Sequence, residues 1–444
     1  MYFKFLAFKW FSRDLALRYG VKLMGGVFMM LYFLLHLFSK NIAYRCLLKA
    51  SRYSHSNIAS KEIARNLNDM TPVIDELLKT ENAKYMRYPV ERSIVLKNPA
   101  LLDGNIVSKG ILLIKFTDTF AYFCTETNNN ELLKYFNIIL EPSWAGYALP
   151  EILYWSRLNG GKVLIESSEI KDFELIAGLN SILRPVSFGS SDWVDFRVFK
   201  PLGLDKIYDS IYVANFNFIK RHHVYFKALK TLKGTGYRAA LVCGRWGDNK
   251  NEIEALINHY GIKDMLDIHI GLSQAELNTL LNQSKVNLLM SLKEGSNRSI
   301  FEGLFAGVPG IILNNNIGVN KTYINQFTGM QIDEKDLSDA LLHFKEKWTD
   351  YDCNAWVTKN ISPIETTKNM LKAFSDDNAV SDKECKNTAV KVNIPEARYI
   401  NKSDSVFFLT SKQVVNVFSN KNETEQYYYN CIVNELNSIK SAIK

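Results

Sequence analysis

An α/β fold is what this sequence predicts: two Rossmann-like doubly wound domains facing a cleft, with an N-terminal helical, membrane-associated extension. Three observations carry the prediction. The 444 residues exceed what one core holds, at about 100–200 residues per domain. Continuous apolar runs of strand length alternate with amphipathic helical stretches in two successive series, the pattern of parallel sheets buried on both faces. Basic and apolar residues crowd the first fifty positions, whereas the body is nearly neutral. With 47% hydrophobic and 23% charged residues, disorder and collagen-like fibres are excluded.

Residues 1–57 form the extension. Met1 to Ala50 holds eight Lys and Arg against Asp14 alone, so +7 of the formal +8 lies there and +1 remains for the rest. The body therefore has no global excess with which to attract nucleic acid. Leu23 to Phe38 is sixteen residues without a formal charge, short of the roughly 20 a spanning helix uses. Basic residues flank it on both sides, so the positive-inside bias sets no orientation. Ahead of it Tyr2, Phe3, Phe5, Phe8, Trp10 and Phe11 interleave with Lys4, Lys9 and Arg13, as in a segment lying in a membrane interface. A spanning helix and a helical hairpin that buries the rings against the next domain are the alternatives. The expected location is the cytoplasmic face of a membrane, peripheral or with one N-terminal anchor. Six scattered cysteines without a CxxC pair read as reduced thiols.

Residues 58–204 form the first domain, opening with helical spacing in Ile58 to Leu78. Apolar runs follow at Gly110–Phe116, Asn137–Leu140 and Lys162–Ile165, with helical spacing from Leu149 to Leu158. Residues 205–375 form the second domain, its boundary set between Pro201 and Tyr208. Strands are predicted at Ser210–Ala214, Ala239–Cys243, Leu266–Ile270, Val286–Met290 and Gly310–Leu313. Helices fall between them at His223–Leu232, Asn251–His259, Gln274–Leu281 and Arg298–Phe305. Such a domain binds ligands beyond the carboxyl ends of its strands. Residues 376–444 read as a polar linker followed by a helical tail, Gln426 to Ile443.

The informative string runs from Lys293 to Ile312, KEGSNRSIFEGLFAGVPGII. It follows a buried strand and opens a helix, which puts Glu294 in the strand-end loop and Glu302 in the helix, both at the crevice edge. A carboxylate suits that place because its two oxygens accept from two neighbouring sugar hydroxyls together. Gly295 allows close approach of a ligand. The free N–H groups of the new helix, near Ser296, Asn297 and Arg298, favour a diphosphate.

Glu294-x7-Glu302, with the continuation Gly303 to Ile312, resembles the donor-site signature of family 4 (group 1) retaining glycosyltransferases of the GT-B fold. Three further stretches fall in that family's order. Val194 to Pro201 resembles the interdomain segment, Val213 to Lys220 the first strand and phosphate loop of the C-terminal domain, and Leu241 to Gly247, with Gly244, the glycine turn after the next strand. The resemblance implies that Glu302 holds the ribose hydroxyls, Glu294 the transferred sugar, and Lys220 the diphosphate and its leaving charge.

Two departures stand out. Where the family commonly has an Arg partner for the Lys, this chain has Asn215, leaving Arg298 or Arg221 to supply the second cation. No His occurs between His55 and His222, and the loop Lys115 to Phe120 lacks glycine. Asp118 and Glu141 are then the acidic candidates in the first domain, each with the alternative of capping a helix or a loop. Trp144 and Tyr147 suit either an acceptor sugar or the core, and His222 and His223 read as helix-entry surface. The resemblance further implies that the donor phosphate takes the acceptor proton and that no metal is required. The expected partners are a nucleotide-sugar, a saccharide or lipid-linked saccharide acceptor and a membrane surface, without nucleic acid. A GT-B scaffold that has lost turnover is the alternative.

Overall fold

The computed structural model describes residues 2–85, 90–244, 249–375, 381–393 and 397–443. The chain divides into two compact units: Lys22–Trp193 with Pro363–Lys444, and Met1–Val21 with Val194–Ser362.

In the first unit the strands are β1 (Ile94–Lys97), β2 (Ala100–Leu102), β3 (Asn105–Ser108), β4 (Gly110–Lys115), β5 (Phe136–Glu141), β6 (Val163–Glu166) and β7 (Leu183–Val186). Five of them make a sheet in the order β1-β4-β5-β6-β7, parallel from β4 to β7 and antiparallel at the β1 edge, while β2 and β3 pair as a separate ribbon. The two-residue period of a strand distributes the apolar runs to both faces. Leu112, Ile114, Ile138, Leu140 and Ile165 pack with Phe120 and Trp155 on one face. Ile111, Leu113, Ile139 and Leu164 pack with Trp193 and Met370 on the other.

The second unit has β8 (Ser210–Val213), β9 (Ala239–Cys243), β10 (Leu266–Ile270), β11 (Asn287–Leu289), β12 (Gly310–Leu313) and β13 (Gly329–Ile332). All pair in parallel in the order β10-β9-β8-β11-β12-β13. Counted within the unit this is 3-2-1-4-5-6, the dinucleotide-fold order, whose direction reverses between the first and fourth strands.

The division of the chain differs from the sequence expectation at three points. The boundary falls at Trp193/Val194 rather than at 204/205. The helix Pro363–Phe374 belongs to the first unit, because Met370 and Leu371 bury against the sheet face that holds Trp193. The segment expected as linker and tail completes that unit. β14 (Lys391–Asn393) and β15 (Ala397–Tyr399) pair there, and the helices Ser411–Phe418 and Glu425–Ile443 insert Val414, Phe418, Tyr428 and Ile432 into its core.

The extension is likewise divided between the units. Helical spacing puts Leu6, Trp10 and Asp14 on one face, and all three are buried in the second unit. Trp10 donates its indole N–H to Glu252 at 2.8 Å and meets the Phe218 ring edge-on at 4.9 Å. Trp10 is thus buried, but in the second unit and from a continuous helical run rather than from a hairpin against the next domain, while Phe5, Phe8 and Phe11 stay exposed.

Candidate functional site

The reversal of strand order in the second unit lies between β8 and β11, and the loops that leave their carboxyl ends carry the predicted residues. After β8 the chain runs through Ala214 and Asn215 into a helical turn, Phe218–Lys220. The Asn217 side chain caps that turn by accepting from the Ile219 N–H at 3.0 Å. The Lys220 carbonyl accepts from the Tyr212 hydroxyl, which ties the turn back to its own strand. After β11 the loop reaches Glu294, where the Glu294 N–H donates to Ile317 at 2.8 Å and the Ile317 N–H to Leu292 at 2.8 Å. Gly318 makes this strap possible: at φ +106° a Cβ there would lie 2.0 Å from the Glu294 carbonyl oxygen.

These two loops bring Lys220 Nζ to 2.5 Å from Glu294 Oε1, with the side chains only 16% and 8% exposed. Gly295 and Ser296 form the turn that follows, and Asn297 caps the helix Arg298–Phe305 by accepting from the Ile300 N–H at 3.1 Å. Gly303 lets that helix lie against β11, since a Cβ would stand 2.6 Å from Asn287 Nδ2. Glu302 projects from the same helix and is buried. Among the described residues nothing hydrogen-bonds its carboxylate or pairs with it. Burial raises its pKa, and the charge of Arg298 one turn earlier offsets part of that rise. The second unit thereby presents a cation, two carboxylates and a helix N-terminus at one strand end, a set suited to a diphosphate and a polyhydroxylated ligand.

Asn215 lies in the first loop, with a buried Oδ1 that has no hydrogen-bond partner among the described residues. Gly244 follows β9 and is exposed, and Arg245 to Gly247 fall outside the described residues.

Arg221 is not the spare phosphate cation. It has no exposed surface, and its guanidinium binds Asp14 at 2.5 and 3.0 Å, Glu334 at 2.6 Å and the Met290 carbonyl at 3.0 Å. Burial opposes the charge on Asp14, but His223 and Arg221 hold its carboxyl far below the ordinary range. His222 and His223 are also not surface. His222 is enclosed beside Tyr212 and Phe226, and burial pushes its pKa down to about 3. His223 stands edge-on to Trp10 at 5.7 Å.

Asp118 and Glu141 belong to the first unit. Asp118 occupies the first turn of the helix Thr117–Glu126, where its charge complements the helix dipole. Phe116, the residue before that helix, takes φ +72° in place of a glycine. Glu141 is engaged by the fold rather than open to a ligand. It lies buried between Lys391 and Lys115, the latter at 3.2 Å, with Asn393 donating at 3.2 Å. Burial is outweighed by the two ammonium groups, which hold the carboxyl below its ordinary range. Tyr147 is core, donating to the Glu166 carbonyl at 2.5 Å, whereas Trp144 is exposed.

Several contributors escaped the sequence reading. Tyr212 and Gly318 position the two loops. Ser291 Oγ and Asn316 Oδ1 are buried acceptors without partners among the described residues, and Asn316 Nδ2 holds the Ser291 carbonyl at 2.8 Å. The run Asn314-Asn-Asn-Ile-Gly318 was the available signal. Among the described residues no cluster of three His, Cys, Asp or Glu could hold a metal ion.

Residues 197–357 match the family model described as Glycosyl transferases group 1. No curated protein matches the chain. Among solved structures it is similar to TarM, at 13% identity and TM-score 0.48, covering 60% of this chain and 55% of that one. Similarity extends to sucrose-phosphate synthase from Thermosynechococcus elongatus, at 13% identity and TM-score 0.46 over 69% and 80% of the two chains. Anabaena HepE in complex with UDP-glucose matches at 10% identity and TM-score 0.46, over 68% and 81%. The chain spans just over half the length of TarM.

Proposed function

With residues 197–357 matching the group 1 glycosyltransferase model as the premise, we propose that the protein moves a sugar from a nucleotide-sugar to a saccharide or lipid-linked saccharide acceptor, with retention of configuration at the transferred carbon. The observation that carries this reading is the Lys220–Glu294 pair at 2.5 Å, delivered by two loops at the strand-order reversal beside the capped helix that bears Glu302.

Each group has a task set by its chemistry. Lys220 supplies positive charge where the departing diphosphate gathers negative charge. Glu294 accepts from hydroxyls of the transferred sugar, and Glu302 accepts from the two ribose hydroxyls. The helix N-terminus at Asn297 adds N–H groups and dipole toward the diphosphate. A donor exchanges the Glu294 contact of Lys220 for its own phosphate oxygens, which frees the Glu294 carboxylate for the sugar in the same movement. Retention follows if the acceptor attacks on the leaving-group face and its proton passes to the departing phosphate oxygen. With lysine and helix dipole meeting the leaving charge, transfer is expected to survive chelation of divalent ions.

A thermal-shift screen against UDP, GDP, dTDP and ADP, with and without sugars, tests the reading. A ligand at 100 times its Kd stabilises the fold by about 2.7 kcal/mol. One nucleotide is expected to raise the melting temperature of wild type and not of Glu302→Ala. No shift with any of the four would overturn the proposal, and a shift without transfer to any acceptor would favour a binding scaffold.

A further inference from the structure

The helix Val21–His36, which belongs to the first unit from Lys22 on, turns a protein-packed face and a bare apolar face in opposite directions. Inward, Gly25 and Tyr32 are buried. A Cβ at Gly25 would lie 2.6 Å from Ser54 Cβ, so this helix and Lys40–Ser54 are in close contact. The Tyr32 hydroxyl donates to Glu62 at 2.9 Å, and the Tyr32, His36 and Tyr44 rings meet edge to edge at 5.3 and 5.8 Å. Outward, Leu23, Val27, Met30, Leu34 and Leu37 recur every three or four residues as one stripe, and Phe33 and Phe38 border it. All are exposed, Leu23 at 70%, Leu37 at 81% and Phe38 at 84%.

We propose that this stripe lies in the interface of an anionic membrane, with the helix axis in the membrane plane. Two observations select lipid as the occupant. No acidic residue occurs between Asp14 and Glu62, a stretch that contains Lys22, Lys49 and Arg52, all exposed, and Lys40, which is exposed but pairs with Asp69 at 3.3 Å. Cations around an apolar stripe match a surface of anionic headgroups over acyl chains. The inward face excludes a spanning arrangement. The helical run Phe5–His36 is long and apolar enough to cross by length and composition, but crossing would strip Tyr32 from Glu62 and Trp10 from Glu252. Freed of the portion docked by Trp10 and Asp14, the sixteen residues of Val21–His36 extend about 24 Å, less than the roughly 30 Å of a hydrocarbon core. The inference is independent of the glycosyl-transfer reading.

Flotation of the full chain with vesicles of phosphatidylcholine alone or with about one third phosphatidylglycerol tests it. Wild type is expected to float with the anionic vesicles and to partition at least about tenfold less onto neutral ones. The double variant Leu34→Glu/Leu37→Glu, at exposed positions, is expected to keep its melting temperature and lose at least about tenfold of the anionic binding. Cysteines placed singly at Lys22 and Lys40 are both expected to react with an impermeant maleimide added outside sealed vesicles, above the background of wild type. Labelling at only one of the two would show a spanning helix and overturn the proposal, as would equal binding by the double variant. A wild-type dimer in solution that the double variant turns into a monomer, with no vesicle binding by either, would assign the stripe to a second copy and also overturn it.

Discussion

Glu302 is a buried carboxylate with a raised pKa, and that combination has a testable sign. Below the unfolded value of 4.5 the protonated side chain costs the fold nothing. As pH rises through the raised folded value, ionisation of a buried carboxylate that no described residue hydrogen-bonds, and that Arg298 offsets only in part, weakens the fold. At pH 7 the free protein therefore carries a penalty that a neutral amide lacks. Glu302→Gln is expected to stabilise the free chain by about 1 kcal/mol, a rise of about 2–4 °C in melting temperature, and to abolish stabilisation by nucleotide. The gain should fade as the solution is acidified toward the unfolded value. A variant that melts lower at pH 7 and still responds to nucleotide would show that the carboxylate serves the fold. Arg221 illustrates the opposite relation between sequence and site. Lys220-Arg-His-His223 reads as a basic surface run, yet the guanidinium is consumed by Asp14, 207 residues away in sequence, and no local pattern announces that partner.

At the scale of elements, the helix Arg298–Phe305 was legible to the residue because its signals are local: a capping Asn297, 3.6-residue spacing of Ile300, Phe301 and Leu304, and Gly307 at φ +80° beyond its end. Most of the parallel strands were legible too, but β7 (Leu183–Val186) and β13 (Gly329–Ile332) were not, since LRPV and GMQI break the apolar run with Arg184 and Gln331. Nor was the pair β14 and β15. Three-residue strands offer too little length for an apolar period, and in β14 the polar Lys391 and Asn393 flank the one apolar residue, Val392, and are drawn inward by the complementary charge of Glu141. The strap between Glu294 and Gly318 was illegible too, since it depends on two loops meeting. Gly318→Ala is expected to destabilise the second unit by more than about 1 kcal/mol and to lower transfer about a hundredfold by shifting Glu294. Gly203→Ala is the control: its φ of +66° is similarly unfavourable, but nothing lies within 4 Å of the new Cβ, so activity should persist. Equal turnover in both variants would show that the strap does not position Glu294.

At the scale of the whole molecule, each unit is assembled from two separate stretches of chain, which composition shifts along a sequence do not display. The Glu141–Lys391 pair joins the two stretches of the first unit across 250 residues. Removing one partner of a buried pair costs about 3–5 kcal/mol, because the other charge is left behind. Lys391→Met is expected to unfold the first unit at a lower urea concentration, while a nucleotide still protects the second unit. The double variant Glu141→Gln/Lys391→Met should recover part of the loss. A single variant as stable as wild type would show that Lys115 and Asn393 alone satisfy Glu141.

That shared cluster bears on the order in which a ribosome can release a folded protein. Most of the first unit emerges early, but Glu141 must wait for Lys391 and the Phe136 side of the sheet for Phe418. The second unit holds every residue it needs once Ser362 has cleared the exit tunnel. Lys22–Trp193, although made before Val194–Ser362, is therefore the later of the two to complete its core, and during that interval β4 to β7 depend on partners still to be synthesised.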